Sequence, residues 1–268
     1  MNGILLLDGS NITARHDIAV RLGSYGDLLA YPPLSEPYSN EWHDIEGYEY
    51  DLSAPTLAPR LVSLTLINRG GTFGVMPTLL GSKAVHTYTF PDLRRSYKLR
   101  YVGVSDCQVL YPDFSTATLT LSEDAPETPV QEEEKAEGTP IDLYRFGVKT
   151  LLGTLSDVAK PLPAKKNLIT PLTASGDGAQ KYDDFRLYRK PMDVVIPCLM
   201  MAQSVEDFNT RHDALLSHLL APGIRPLSIE GAGTFRAFYR SCSTVSFHHI
   251  PTPVWWRFDL TFTINEKI

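Results

Sequence analysis

Four groups of side chains in this sequence have the types and spacing that chemistry uses, and each has a competing reading. His248-His249 is the best metal-like pair, because two imidazoles can share one ion. Neighbours on a strand point to opposite faces, so one ion reaches both only across a bulge; the competing reading is a polar loop ahead of Pro251. Asp177 and Asp183-Asp184 could act as paired carboxylates in acid and base work, but Asp177 stands between Gly176 and Gly178, which reads as a turn. His16-Asp17 has no identifiable serine or cysteine nucleophile beside it and reads as a surface pair. Trp255-Trp256 suits sugar stacking, core packing or a subunit contact, and on a strand one ring faces in and the other out.

No phosphate-cradling GxxxxGK[ST] loop, GxSxG elbow, HExxH helix or paired CxxC motif occurs in the chain. The reading is therefore of a protein that is not an enzyme, with no catalytic, cofactor-binding or metal-ligating residue to name. Cys107, Cys198 and Cys242 are an odd number at wide spacing, which predicts free thiols and a reducing compartment rather than a disulfide framework.

The elements that position these residues follow from composition and periodicity. With 268 residues, 43% apolar, 20 Pro and 18 Gly, the chain is an ordinary globular sequence with room for two cores. No uncharged apolar run approaches the ~18–20 residues that span a bilayer, and no basic region precedes Ile4–Leu7, so a soluble, non-membrane protein is expected. Seven acids and one base lie between Ser122 and Pro140: Glu123, Asp124, Glu127, Glu132, Glu133, Glu134 and Glu137 against Lys135. Setting these aside from totals of 31 acids and 25 bases leaves 24 of each, so this stretch carries the whole net charge of −6. Its Pro/Glu/Thr-rich, apolar-poor makeup reads as a solvated linker or arm, dividing the chain into 1–122, 123–140 and 141–268. A balanced body without a basic run also argues against phosphate-driven binding of nucleic acid.

The two halves align with one another. Leu28–Ser35 matches Lys166–Thr173, Tyr50-Asp51 matches Tyr182-Asp183, and Pro59 matches Pro191. Val62–Leu66 then falls on Val194–Cys198, Tyr97–Tyr101 on Phe235–Tyr239, and Thr118–Leu121 on Asp259–Phe262, all in the same order. Leu61–Ile67, Tyr97–Val104, Ala117–Leu121, Met192–Met200, Phe235–Cys242 and Trp255–Ile264 are β-branched or aromatic runs, several of which alternate with polar residues as half-buried strands do. Ser204 followed by Asp207 predicts a capped helix over 204–220, with Val205, Phe208, His212, Leu215, Leu216 and Leu219 on one face and Pro222-Gly223 at its end. In the first half Arg69–Ser82 carries Gly70-Gly71, Gly74, Pro77 and Gly81, so the matching helix is expected to be short or distorted. The expectation is a mainly β protein: two tandem, duplicated β-sandwich or barrel domains, with a clear packed helix in the second.

The order in the second half resembles the phage distal tail and tail-tube group: Lys190–Ile196, the capped helix ending at Pro222-Gly223, Leu227–Ile229, Tyr239–Cys242 and the alternating Phe258–Phe262. Trp42–Ser53 ahead of Arg60–Leu64 is similar to tail proteins of phages or prophages infecting Bacteroidetes. What the resemblance implies is a structural component of a distal tail, tube or baseplate hub. It implies self-association into a hexameric ring, or a trimer imitating six-fold symmetry, around a channel that genomic DNA crosses without specific binding. Tube, tape-measure, hub or fibre proteins would be its partners. It also implies location in the virion tail after assembly in the host cytoplasm, and no cofactor. Two other readings remain: a carbohydrate-binding double β-sandwich using Trp42, Trp255 or Trp256, and a hydrolase in which Asp177, Asp183 or His249 converge in a pocket.

Overall fold

The computed structural model describes residues 3–42, 45–69, 73, 84–111, 114–128, 138–151, 160, 162–165, 169–170, 181–182, 188–229, 232–249 and 252–268. In the first half the strands are β1 (Leu6–Leu7), β2 (Ser10–Asn11), β3 (Ile18–Val20), β4 (Ser39–Asn40), β5 (Glu49–Tyr50), β6 (Arg60–Asn68), β7 (Val85–Phe90), β8 (Arg95–Tyr111) and β9 (Phe114–Glu123). The second half contributes β10 (Val148–Thr150), β11 (Ile169–Thr170), β12 (Lys181–Tyr182), β13 (Met192–Ala202), β14 (Arg225–Ile229), β15 (Gly233–His248) and β16 (Val254–Lys267). A seven-stranded antiparallel sheet runs β2-β1-β7-β8-β9-β6-β3, a five-stranded one runs β10-β13-β16-β15-β14, and β4–β5 and β11–β12 form two small ribbons.

Strand for strand, β7-β8-β9-β6-β3 has the order of β14-β15-β16-β13-β10. The match extends to register. Val62, Leu64 and Leu66 on β6 face Leu121, Leu119 and Ala117 on β9, just as Val194, Ile196 and Cys198 on β13 face Phe262, Leu260 and Phe258 on β16. Each of these residues is 1% exposed or less, because period-2 alternation puts every second residue on the core face. Both long hairpins also break register at corresponding places: Tyr101/Gly103 and Ser105/Gln108 on β8, Tyr239/Ser241 and Thr244/Ser246 on β15. Such bulges strengthen local twist and bend a hairpin, so both halves present a curved two-stranded arm.

Strands run longer than the sequence pattern predicts, since hairpin pairing carries β8 to Tyr111 and β15 to His248, past the apolar alternation. The helix forms over Val205–Leu219, where Ser204 Oγ accepts from Asp207 N at 3.1 Å and Glu206 and Asp207 sit against the positive end of the dipole. Its buried face carries Phe208, His212, Leu215, Leu216 and Leu219 as expected, and Ser217 with them; Val205 is only half-buried. The apolar faces of both sheets and of this helix join in one contiguous core. Residues 70–72 and 74–83, where a distorted first-half helix was expected, lie outside the described residues.

The acidic stretch begins inside the fold. Glu123, the last residue of β9, is 9% exposed and pairs with Arg60 Nε at 2.5 Å; Asp124 binds Arg100 at 2.7 Å and Glu127 binds Lys98 at 2.7 Å. Glu132, Glu133, Glu134 and Glu137 lie outside the described residues. No helix among the described residues is long and apolar enough to cross a membrane.

Candidate functional site

The residues that could do chemistry are not gathered. His248 is exposed near the end of β15, whereas His249 is buried beside the Tyr25 ring at 5.7 Å and stacked on Phe247 at 5.3 Å. The two point apart, as strand geometry requires. His249 is not the polar loop residue the sequence implied: burial lowers its pKa, and its Nε2 has no hydrogen-bond partner. Among the described residues no three His, Cys, Asp or Glu come together as ligands of an ion. His16 and Asp17 close a five-residue helix at the surface, with Asp17 in the left-handed region at φ 54°. Asp177, Asp183 and Asp184 lie outside the described residues. An open groove of about 560 Å³ is lined by Arg95, Lys98, Glu123, Glu127 and Asp213 among others, and its charges are spent on one another: Arg95 holds Asp213 at 2.7 Å and Lys98 holds Glu127.

What the structure does build is a junction between the halves, centred on Tyr31. Tyr-Pro-Pro favours an extended backbone, so the segment after the short helix Gly26–Leu29 runs straight along the second hairpin. Along it, Gly26 lies against Thr244 and Leu34 N donates to Arg240 O at 2.9 Å. The Tyr31 ring packs edge-on to Trp256 at 5.4 Å and Tyr239 at 6.5 Å and lies 4.5 Å from His212; its hydroxyl donates to His212 O at 2.8 Å. Tyr239 Oη in turn donates to Pro32 O at 2.9 Å. Burial holds the Tyr31 and Tyr239 phenols far above their ordinary pKa, so both remain neutral donors.

His212 completes the junction from the helix. Its Nε2 donates to Leu29 O at 2.8 Å, which leaves Nδ1 to accept from Arg95 Nη2 at 3.3 Å. Burial lowers the pKa of this imidazole and the Arg95 charge acts in the same direction, keeping it neutral. Arg95 also donates to Asn209 Oδ1 at 2.6 Å, and Asn209 Nδ2 returns a bond to Leu93 O at 2.9 Å, tying the β7–β8 turn to the helix.

A second clamp holds residues 41–42 and 45–50 on the other half. Lys165, 4% exposed, donates from Nζ to the carbonyls of Trp42 (2.6 Å), Ile45 (2.7 Å) and Gly47 (2.6 Å) and sits 5.4 Å over the Tyr48 ring. All three ammonium donors are used, so the buried head group leaves no hydrogen bond unmade. Gly47 adopts φ +67°, and a Cβ there would meet the Asn265 amide at 2.5 Å, the same amide that accepts from Tyr48 N.

Outward surfaces differ between the halves. Trp256 is fully buried, stacked on Phe258 at 3.7 Å, while Trp255 is 42% exposed. Trp42 is exposed with its indole N–H on Glu49. Among the described residues the first hairpin exposes Val102, Val109, Leu110 and Tyr111. Sequence reasoning missed this tip, since Val102-Gly103-Val104 and Val109-Leu110-Tyr111 read as ordinary strand residues. It missed Tyr31, Arg95 and Lys165 because their partners lie more than 100 positions away, beyond any local pattern.

No family model matches the chain, and no curated protein matches it. Among solved structures, the crystal structure of the phage SPP1 Dit (gp 19.1) protein, described as a paradigm of hub adsorption apparatus in Gram-positive-infecting phages, aligns over 100% of both chains at 14% identity with a TM-score of 0.34. That likeness is too slight to assign a fold or a role.

Proposed function

We propose that this chain is a structural component of a phage tail, a distal tail or tube and baseplate hub protein whose copies close into a ring around the DNA channel. The observation that carries the reading is the doubled five-stranded sheet with matched strand order, core register and bulges, held in one chain by a contact in which the first half lies on the hairpin of the second. It is the plan that the tail-tube resemblance of Lys190–Phe262 calls for. A contact between unlike faces of like units propagates, and closes when its rotation divides a circle.

In this reading the units are 1–122 and 141–268 joined by 123–140. The ring is a hexamer, or a trimer whose six units imitate six-fold symmetry, and tube, tape-measure, hub or fibre proteins stack on it. Surface ion pairs such as Arg100–Asp124 and Lys98–Glu127 suit a channel wall that must let DNA pass, because every phosphate held would slow it. Light scattering on a sizing column with negative-stain imaging tests this. A ring of three or six chains with a central hole is expected. A strict monomer at high concentration, unchanged by added tail partners, would favour the carbohydrate-binding reading through Trp42 or Trp255.

A further inference from the structure

The ribbon of β4 and β5 has an outer face that neither the core nor the junction uses. Its inner face is accounted for: Glu41 pairs with Lys190 at 3.4 Å, Tyr48 lies 5.4 Å from Lys165 Nζ, and Tyr50 packs edge-on to Phe238 at 4.9 Å. Register sets Ser39 opposite Tyr50 and Asn40 opposite Glu49, so strand alternation puts Tyr38, Asn40, Trp42 and Glu49 on the other side. Tyr38 is 88% and Trp42 50% exposed, and Asn40 and Glu49 are exposed with them. A single exposed aromatic is ordinary, but here two flank an amide on one face and one of them is fixed in place. The Trp42 indole donates from Nε1 to Glu49 Oε2 at 3.0 Å across the ribbon, and its carbonyl accepts from buried Lys165 at 2.6 Å. A buried lysine that orders an exposed turn adds rigidity where the core needs none, and rigidity is what a binding face requires. Beside Tyr38 lies an open groove of about 240 Å³ lined by Ser35, Glu36, Asp51, Ser53 and Thr56 among others.

We propose that the face formed by Tyr38, Asn40, Trp42 and Glu49 is a binding site for a neutral, extended oligosaccharide. A pyranose ring has an apolar C–H face that stacks on an aromatic plane and a rim of hydroxyls that bond to carboxylates and amides, and this face alternates those two kinds of partner. Tyr38 and Trp42 stand four strand residues apart, about 13 Å, which fits roughly three sugar rings end to end. Glu49 Oε2 holds the indole, so its Oε1 and the Asn40 amide are the groups that take hydroxyls between the two stacking positions. The carboxylates of Glu36, Glu49 and Asp51 border the face, and Arg240 is held by Glu36, so the local charge favours a neutral sugar over an acidic one. The site needs only one copy of the chain, so it stands independently of the ring reading.

The experiment is titration calorimetry of the full chain with three neutral probes, cellotetraose, chitotetraose and maltotetraose, and with tetragalacturonate as an acidic counterpart. Wild type should bind at least one neutral probe and leave the acidic one unbound. Trp42→Ala and Tyr38→Ala, both at positions open to water, should keep the wild-type melting temperature and weaken binding about ten-fold or more. Trp42→Phe should recover part of the loss, because a stacking plane returns without the indole N–H. Trp255→Ala, on the second half, should bind as wild type does. No heat with any neutral probe at millimolar concentration would overturn the site, as would binding that survives both Trp42→Ala and Tyr38→Ala. Preference for the acidic probe would overturn the assignment to neutral sugars. Loss of self-association in Trp42→Ala, with no sugar bound by wild type, would give the face to a protein contact instead.

Discussion

The first and second hairpins share strand order, register and bulge positions, but they differ in what lies on them. At the second, Tyr31, Phe208 and His212 converge on Tyr239, Phe247 and Trp256, and nearly every ring has a neighbour within 6 Å. At the first, Val109, Leu110 and Tyr111 have water. Matched backbones with unequal cover show that one strand plan can carry either a packed or an open face, with larger side chains where the chain itself covers them. Phe247 and Trp256 stand where the first half has Val109 and Ser115.

Truncation should separate the two sites most sharply. Tyr31→Ala removes a fully buried ring and a bond to His212 O, so urea unfolding should show a loss of about 3–5 kcal/mol. Tyr111→Ala should stay within about 0.5 kcal/mol for the monomer, as exposed substitutions do. Equal losses would mean that the internal contact is not the stabilising one.

Next in size is Lys165→Met, which leaves the carbonyls of Trp42, Ile45 and Gly47 without their donor in a buried setting. A cost of about 2–4 kcal/mol is expected, with faster hydrogen exchange confined to residues 41–50. Arg95→Ala should follow at about 2 kcal/mol, because Asp213 and Asn209 then lose their partner across the halves while Asp213 regains some water.

Acid should loosen the covered hairpin and spare the open one. His212, His218 and His249 all have folded pKa values below the ordinary 6.5, with burial as the largest cause, and His218 is lowered to about 4. Such groups bind more protons unfolded than folded below pH 6.5, so their contribution is complete above that value and is lost as pH falls from 6.5 towards 4. Melting temperature against pH should therefore bend downward below about 6.5, and His212→Gln should flatten the slope. The hairpin Val102–Tyr111 carries no histidine, so its exchange rates should follow only the intrinsic pH dependence. The smallest effect is chemical: Cys107 should react quickly with maleimide, whereas Cys198 and Cys242 should not react in the native state. Both of the latter thiols are raised by burial, Cys242 to about 12.

Much of this architecture is legible in the sequence where a strand or helix is long enough to show its period. The alternation from Trp256 to Ile264 and the Ser204 cap are plain, and Pro59 and Pro191 mark the starts of β6 and β13 in both halves. Strands β1 to β3 have two or three residues each, too few for any period to appear. Glu123 reads as linker because its neighbours are acidic, but Arg60 reaches it from 63 positions away. The candidate site was least legible. Trp255 and Trp256 divide outward and inward as a strand demands, yet nothing local shows that Phe247 lies beneath the helix residue Phe208 while Val109 is 70% exposed.

The most direct test of the unequal cover is hydrogen–deuterium exchange of wild type and Tyr31→Ala under native conditions. The account predicts that amides of Tyr239–Phe247 exchange faster in the variant while those of Val102–Tyr111 do not change. Unchanged exchange at Tyr239–Phe247, or equal acceleration at both hairpins, would contradict it.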